Sequence, residues 1–420
     1  MNKRAKKTKV IATLGPASST KEIMLELVKA GADVFRINFS HADYELVKRN
    51  VDIIREINQE YGYNISILGD LQGPKLRVGV VKEGSFLNPG DVLTFTNEPC
   101  EGDSTKVFMT YEKFPQDVKV GERILIDDGK LVFEVIETNQ KDTVKAKTIQ
   151  GGPLSSKKGV NLPNTNVSLP ALTEKDIEDA KFMIENEFDW IALSFVRHAQ
   201  DIIDLKKLIE AHSDFKIPII AKIEKPEGVK NIDEILLECD GLMVARGDLG
   251  VEVPMEEVPV IQKKLVDKAR YYSKPVIIAT QMMETMISSL TPTRAEVNDV
   301  ANNVLDGADA VMLSGETSVG KYPVDVVKNI TKIIKNIEST NLYEKKNDII
   351  EKITCVDDRF VTDMVCLNAV KIAETTGAAA IITLTHSGYT AFQISAHRPT
   401  SRIIVYSSNR SVLTMLHLLW

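Results

Sequence analysis

The sequence predicts an α/β fold: a TIM (β/α)8 barrel with an inserted small β-barrel domain and a partial C-terminal α/β domain. Three observations predict it. Eight short apolar runs recur, at Lys9–Thr13, 33–38, 66–68, 190–194, 217–223, 242–245, Val276–Ala279 and Ala310–Leu313. Nearly continuous apolar runs of this length are what parallel strands buried on both faces look like. Amphipathic helical stretches separate most of them, and a chain of β-then-α units closes into a barrel. Between Asp70 and Pro170 the texture shifts to short alternating segments with Gly and Pro turns, which reads as an all-β insertion.

Taken in order, the first helix is expected to open at Ser19, with Glu22 three residues on, and another at Thr173, with Asp176 in the same position. The insertion follows the third strand, with strands expected at 78–81, Val92–Thr96, 123–127, 131–136 and 144–149. Two crossings of the chain join it to the barrel, so it can swing as a lid. Residues 1–71 and 170–340 are assigned to the barrel, 72–169 to the insertion and 341–420 to the third unit. In that unit, helices are expected at 362–376, 390–397 and from 411, with strands at 379–384 and 403–406.

The chain has 420 residues, 43% hydrophobic and 26% charged, with a formal net charge of −7. That length calls for more than one core, and the acidic balance argues against a general nucleic-acid binder. The basic run from Lys3 to Lys9 is followed by no long apolar segment, so it is no signal peptide, and no run is long enough to span a bilayer. Cys100, Cys239, Cys355 and Cys366 form no Cys-x-x-Cys pair and read as reduced thiols of a cytoplasmic protein. His198, His212, His397 and His417 have no metal-ligand spacing, Gly315 and Gly320 make no nucleotide fingerprint, and Met282-Met283 reads as core.

Chemistry gathers where strands end. The fifth run ends in Lys222 and Glu224, the sixth in Arg246, Gly247 and Asp248. On neighbouring parallel strands, Glu224 and Asp248 converge as two oxygen ligands for Mg²⁺ or Mn²⁺. Lys222 beside them suits a reaction that develops phosphoryl and enolate charge. Arg36, Asn38 and Ser40, spaced by two at the end of the second run, are expected on one side of the strand. Gly247 permits close backbone approach to a ligand carboxylate. Ser314 and Glu316 end the eighth run, where a supporting and a direct role are equally open.

These segments resemble the pyruvate kinase family. Ala221 to Gly228, Asp240 to Gly250, Thr8 to Ser18 and Phe35 to His41 carry the resemblance. Ser156 to Pro163, Ala279 to Met282, Pro292 to Glu296 and Met312 to Thr317 extend it, in the family's order, over roughly residues 8 to 406. The resemblance implies transfer of the phosphoryl group of phosphoenolpyruvate to ADP, giving pyruvate and ATP. It implies catalytic roles for Lys222, Arg36 and Thr280, substrate contacts from Arg36, Lys222, Gly247, Asp248 and Thr280, and a divalent ion on Glu224 and Asp248. The nucleotide would meet Asn38, Phe39, Ser40, His41, Arg77 and Lys158. Asn38, Ser40, Asp70 and Leu71 match a monovalent-cation site, read here as vestigial. Potassium-dependent members read Asp-Thr-Lys-Gly-Pro-Glu after the third strand; here the segment is Asp70-Leu71-Gln72-Gly73-Pro74-Lys75. Lys75 is expected to replace the potassium charge, so potassium is not required.

A loop with Thr385, Ser387, Gly388 and Thr390 resembles the family's effector-phosphate loop, with His386 and Tyr389 where an acid and an arginine are frequent. A sugar-phosphate or nucleotide effector is implied, as is a homotetramer for a complete chain; family members usually continue past residue 420, so the chain reads as C-terminally incomplete. A metal-dependent aldolase on the same barrel would need no ADP clamp such as Arg77 and Lys158. A silent metabolite-binding protein would need neither Lys222 nor Thr280.

Overall fold

The computed structural model describes residues 6–340 and 358–420. Lys3 and Arg4, the domain boundary expected near residue 341, and Cys355 lie outside the described residues. Eight parallel strands close into a barrel: Lys9–Thr13, Val34–Asn38, Ser66–Asp70, Trp190–Leu193, Ile219–Ile223, Gly241–Ala245, Val276–Ala279 and Ala310–Leu313. The closing ladder sets Lys9 opposite Ala310. Every expected run supplies one strand. The fifth starts two residues late because Pro218 has no N–H to give a ladder.

Alternation sorts the two faces. Ile11, Val34, Leu68, Ile220, Met243 and Ile277 fill the interior, while neighbours such as Val10, Ile67, Ile219 and Ile278 pack beneath the helices. The Thr173 capping box forms with Asp176. The first helix begins one residue later than expected: Thr20 is its N-cap, and the Ser19 hydroxyl instead donates to the Gly15 carbonyl at 2.7 Å.

The amino ends of the strands are tied by a repeated device. An aspartate stands immediately before each even strand: Asp33, Asp189, Asp240 and Asp309. Each accepts through its carboxylate a backbone N–H of the preceding odd strand: Val10 at 2.7 Å, Ile67 at 2.7 Å, Ile219 at 3.0 Å and Val276 at 2.9 Å. Each also donates its own N–H to the carbonyl of that same residue. The orphan donors at four strand ends are thereby satisfied without water.

The insertion has its own core, including Leu93, Phe95, Ile124, Phe133 and Val144. Its main sheet has six strands, with edges at Lys106–Phe108 and Val160–Asn161. Residues 76–79 join its two edges through single bridges and close it into the small β-barrel expected. On one side the Gly79 N–H donates to the Phe108 carbonyl at 2.8 Å and the Thr110 N–H to the Arg77 carbonyl at 3.0 Å; on the other the Val78 N–H donates to the Lys158 carbonyl at 3.0 Å and the Val160 N–H to the Leu76 carbonyl at 2.9 Å. The strand expected at 78–81 exists only as such bridges.

The third unit comprises helices Phe360–Thr376, Tyr389–Ala396 and Arg410–Met415 around a parallel pair of strands, Ala380–Leu384 and Arg402–Tyr406. It packs on the amino end of the barrel. Leu418, Phe392 and Met415 join the interior cluster, and the Trp190 indole donates to the Met415 carbonyl at 3.0 Å. Three of the four aspartates also hold this unit. Thr414 donates to Asp189 at 2.5 Å, His417 stands 3.7 Å from Asp33, and Arg398 makes two bonds to Asp309 at 2.7 and 2.6 Å. Arg398 and Asp309 are both almost fully buried.

Removing one partner of such a pair leaves a buried charge alone, at a cost of about 3–5 kcal/mol. Arg398→Ala is expected to lower the stability of the docked unit by that amount in urea unfolding followed by Trp190 and Trp420 fluorescence. A loss below about 1 kcal/mol, the scale of an exposed pair, would show that the docking does not depend on it.

Candidate active site

The site lies at the carboxyl ends of the barrel strands. Asp70, the last residue of the third strand, is 1% exposed and bridges two cations. Its Oδ1 accepts from Lys222 Nζ at 3.0 Å, and its Oδ2 from Arg36 Nε at 2.7 Å. Burial alone would raise its pKa, but Lys222 and Arg36 outweigh it and hold the carboxyl below the usual range. Arg36 is steadied further by the Thr13 hydroxyl at 3.1 Å.

Lys222 is held from three sides: Asp70, the Ser194 hydroxyl at 2.6 Å, and Glu224 at 3.1 Å. Burial works against its charge, yet Asp70 and Glu224 prevail and push its pKa up. It is therefore a permanent ammonium, suited to electrostatic stabilisation and not to proton transfer. Glu224 is 1% exposed, and its second oxygen accepts the Phe195 N–H at 2.7 Å. Burial first, then the charge of Asp248 against the opposing pull of Lys222, raises its pKa.

Asp248 sits in the helix Arg246–Glu252 that follows the neighbouring strand, and its carboxylate makes no hydrogen bond or ion pair among the described residues. Two carboxylates, one strained by burial and one unpartnered, fit a hard divalent cation with open positions for substrate and water. Among the described residues no group of three or more His, Cys, Asp or Glu forms a fuller cage. Lys222 and Arg36 against Asp70, Glu224 and Asp248 leave a formal charge of −1, which a divalent ion would turn positive toward a phosphorylated anion.

Thr280 follows the seventh strand in the left-handed region, φ +68°. Its Oγ1 accepts the Gly247 N–H at 2.7 Å and donates to the Ala279 carbonyl at 2.6 Å. A side chain on Gly247 would come within 3.3 Å of that hydroxyl. Glu316 is buried and serves the backbone, accepting from Met283 N–H at 3.0 Å and Ser314 N–H at 2.7 Å.

The nucleotide and monovalent-ion candidates are less gathered. The second strand ends at Asn38, and residues 39–41 form a 3₁₀ turn, so Ser40 is not on the strand beside Arg36 and Asn38 as expected. Asn38 Oδ1 accepts the Ser40 N–H at 3.1 Å, and the Leu71 carbonyl accepts the Ser194 hydroxyl at 2.7 Å. With both oxygens of Asp70 engaged as well, these groups are turned toward protein partners. The Phe39 ring is core, and its carbonyl accepts from Lys175 at 2.9 Å. His41 closes the same turn. Lys75 is exposed, and its ammonium pairs with no carboxylate among the described residues. In the insertion, Arg77 donates to the Lys157 carbonyl at 3.0 Å, while Lys158 pairs with Asp127 at 2.9 Å.

The effector-loop candidates belong to the third unit, which packs at the opposite end of the barrel. Thr385 Oγ1 caps the Gly388 N–H at 2.9 Å, and Thr390 meets Thr383 at 2.8 Å. Ser387 lies between them, exposed. The Arg359 guanidinium stands 4.1 Å over the Tyr389 ring.

Sequence reasoning missed Ser194, the Phe195 N–H and Thr13, and it named Arg246 without giving it a role. Arg246 braces the turn after the seventh strand, donating to the Thr280 carbonyl at 2.8 Å and to Asp299 at 2.7 Å. All four are polar groups on or just after apolar runs, a signal the sequence does carry.

A (β/α)8 barrel with an inserted domain and a cation-bridged acid cluster at the carboxyl ends of its strands has the layout of a barrel enzyme's active site. The family model "Pyruvate kinase, barrel domain" matches residues 5–327, and "Pyruvate kinase, alpha/beta domain" matches residues 363–420. Pyruvate kinase 2 of Synechocystis is 44% identical over 99% of this chain and 70% of its own length. Pyruvate kinase of Geobacillus stearothermophilus is likewise 44% identical over the same shares. A crystal structure of a pyruvate kinase from Cryptosporidium parvum superposes with a TM-score of 0.93 at 36% identity, covering 99% of this chain and 86% of that one. The chain belongs to the pyruvate kinase family. It is a phosphotransferase that moves the phosphoryl group of phosphoenolpyruvate to ADP, giving pyruvate and ATP in the last step of glycolysis.

Lys222→Met keeps the apolar stem and deletes the charge. Turnover is expected to fall at least about a hundredfold, the scale for one preorganised electrostatic group, with a smaller change in KM for phosphoenolpyruvate. Steady-state rates of pyruvate formation check this; a variant with the parent's turnover would remove Lys222 from the role.

Proposed function

We propose that the Lys222–Asp70–Arg36 bridge and the Glu224–Asp248 pair carry this transfer. The observation that supports it most is the three-sided hold on Lys222, which fixes a permanent positive charge where phosphoryl and enolate charge develops. Arg36 binds the substrate phosphate, and Lys222 stabilises the phosphoryl and enolate oxygens. Glu224 and Asp248 hold Mg²⁺ or Mn²⁺, which supplies charge neutralisation on the transferring group. The Gly247 and Asp248 backbone, opening a helix beside Thr280, faces the substrate carboxylate. Thr280 is a poor acid at neutral pH and orders the water that protonates the enolate.

Arg77 and Lys158 approach with ADP as the insertion closes, beside residues 38–41, and Lys158 exchanges Asp127 for phosphate. The phosphate loop in the third unit takes a sugar-phosphate or nucleotide effector, and the assembly is a homotetramer in the cytoplasm. No helix among the described residues is long and apolar enough to cross a membrane. A coupled assay for pyruvate with and without ADP tests the central reading, since an aldolase would not depend on ADP and a silent binding protein would form none.

Glu224→Gln and Asp248→Asn each remove a charge with little change in volume. Both are expected to weaken Mn²⁺ binding, followed by its paramagnetic resonance signal, at least about tenfold, and to depress activity in step. Unchanged binding in a folded variant would take that carboxylate out of the set.

Potassium independence is supported by the engagement of Asn38 Oδ1, the Leu71 carbonyl and both Asp70 oxygens with protein groups. Lys75 is exposed, and its charge is read as standing in for the ion. Substantial activity is expected in potassium-free, ammonium-free buffer, and Lys75→Glu is expected to lose it unless potassium is added. Initial rates against KCl at constant ionic strength decide; a parent rate near zero without potassium would refute the substitution.

A further inference from the structure

We propose that Ser194 is a positioning residue that ties the catalytic lysine to the hinge of the inserted domain, so that lid movement is felt at Lys222. The proposal rests on the assignment of Lys222 above. Ser194 is 2% exposed and follows the fourth strand. Its single hydroxyl hydrogen is committed to the Leu71 carbonyl at 2.7 Å, which turns its lone pairs toward Lys222 Nζ at 2.6 Å. Leu71 is the first residue beyond the third strand, where the chain leaves the barrel for the insertion.

Two more contacts seat the hinge on the same joint. Gly73, at φ +69°, approaches so closely that a Cβ there would lie 2.9 Å from the Ser194 Cβ and 2.8 Å from the Phe195 ring. Phe195, at φ +55°, gives its N–H to Glu224. One dipeptide therefore touches the lysine, the metal-site carboxylate and the hinge.

The three partners of Lys222 are not equivalent. Asp70 and Glu224 are charged, and each has a competing demand, from Arg36 and from a divalent ion. Ser194 is neutral and keeps its place whichever anion yields to substrate. Its loss would leave the ammonium charged but free to swing, so the effect belongs in turnover and not in substrate binding.

Ser194→Ala is expected to lower kcat roughly tenfold to a hundredfold, the range for groups that orient a catalytic residue, with KM for phosphoenolpyruvate within about threefold. Amide hydrogen exchange at residues 71–75 is expected to quicken without substrates, because the carbonyl anchor is gone. Ser194→Thr, which keeps the hydroxyl, is expected to recover most of the turnover and the slow exchange. If Ser194→Ala does not fold, Ser194→Cys, close in volume and a weak donor, takes its place under the same readings. A kcat within twofold of the parent, a loss confined to KM, or a lowered kcat with unchanged hinge exchange would each overturn the coupling. Lys222→Met, run alongside, separates the two ideas: if it kept full turnover, the assignment of Lys222 would fail, whereas a dead Lys222→Met beside a normal Ser194→Ala would sink the coupling alone.

Discussion

Closure of the parallel ring is the constraint on which everything else here depends, and four aspartates enforce it. A closed barrel has no sheet edge, but its strand ends still carry backbone donors that burial would orphan. Asp33, Asp189, Asp240 and Asp309 each bind one odd strand to the next even strand, by main chain and side chain together. The device repeats every second strand, so it fixes register in four βαβ units at once. It also gives the third unit anchors: Arg398, Thr414 and His417 reach three of the same carboxylates. The end of the barrel opposite the chemistry is thus rigid, plugged by Leu418 and covered.

With register pinned at one end, side chains at the other can be placed to a fraction of an ångström. Asp70 uses this. It is a buried acid kept ionised by two cations, and in turn it keeps the two cations from repelling each other. Removing it would leave Arg36 without a carboxylate and Lys222 with Glu224 alone. Its position at the last residue before the hinge gives the lid a fixed starting point beside both.

Much of this was legible in the sequence, for identifiable reasons. Strands buried on both faces announce themselves as apolar runs, and each run ended where its chemistry began, so Lys222, Glu224 and Arg36 were singled out by position, whereas Asp70 entered only through the family resemblance, as a ligand of a monovalent cation. How the insertion closes was not legible, because alternation shows a half-buried strand but not that residues 76–79 join the two edges through single bridges. The aspartate ring was overlooked although its residues are plain in sequence: an acid directly before an apolar run reads as loop polarity until the neighbouring strand's N–H is seen to need it. Ser40 was misplaced for a related reason. A spacing of two implies one face only while the strand continues, and Asn38 ends it by capping the next turn. Ser194 looked like the tail of an apolar run; only the contact with Lys222, 28 residues on, sets it apart.

The remaining irregularities sit where the site must be lined with backbone polar atoms. Phe195, Thr280 and Gln281 are non-glycine residues in the left-handed region, all just beyond barrel strands. Each such residue costs on the order of 1–3 kcal/mol and persists only where its surroundings over-determine it. Here they do. Glu224 accepts the Phe195 N–H, Arg246 holds the carbonyls of Thr280 and Gln281, and Asp299 holds Arg246. A strand leaving the barrel in ordinary geometry would pass straight into its helix. The reversed φ bends the chain at once, which aims the Phe195 N–H at Glu224 and brings the Thr280 hydroxyl against Gly247. The strain is therefore tied to the chemistry by the same bonds that stabilise it: a replacement that relaxed either turn would also release an atom that the site requires to be fixed.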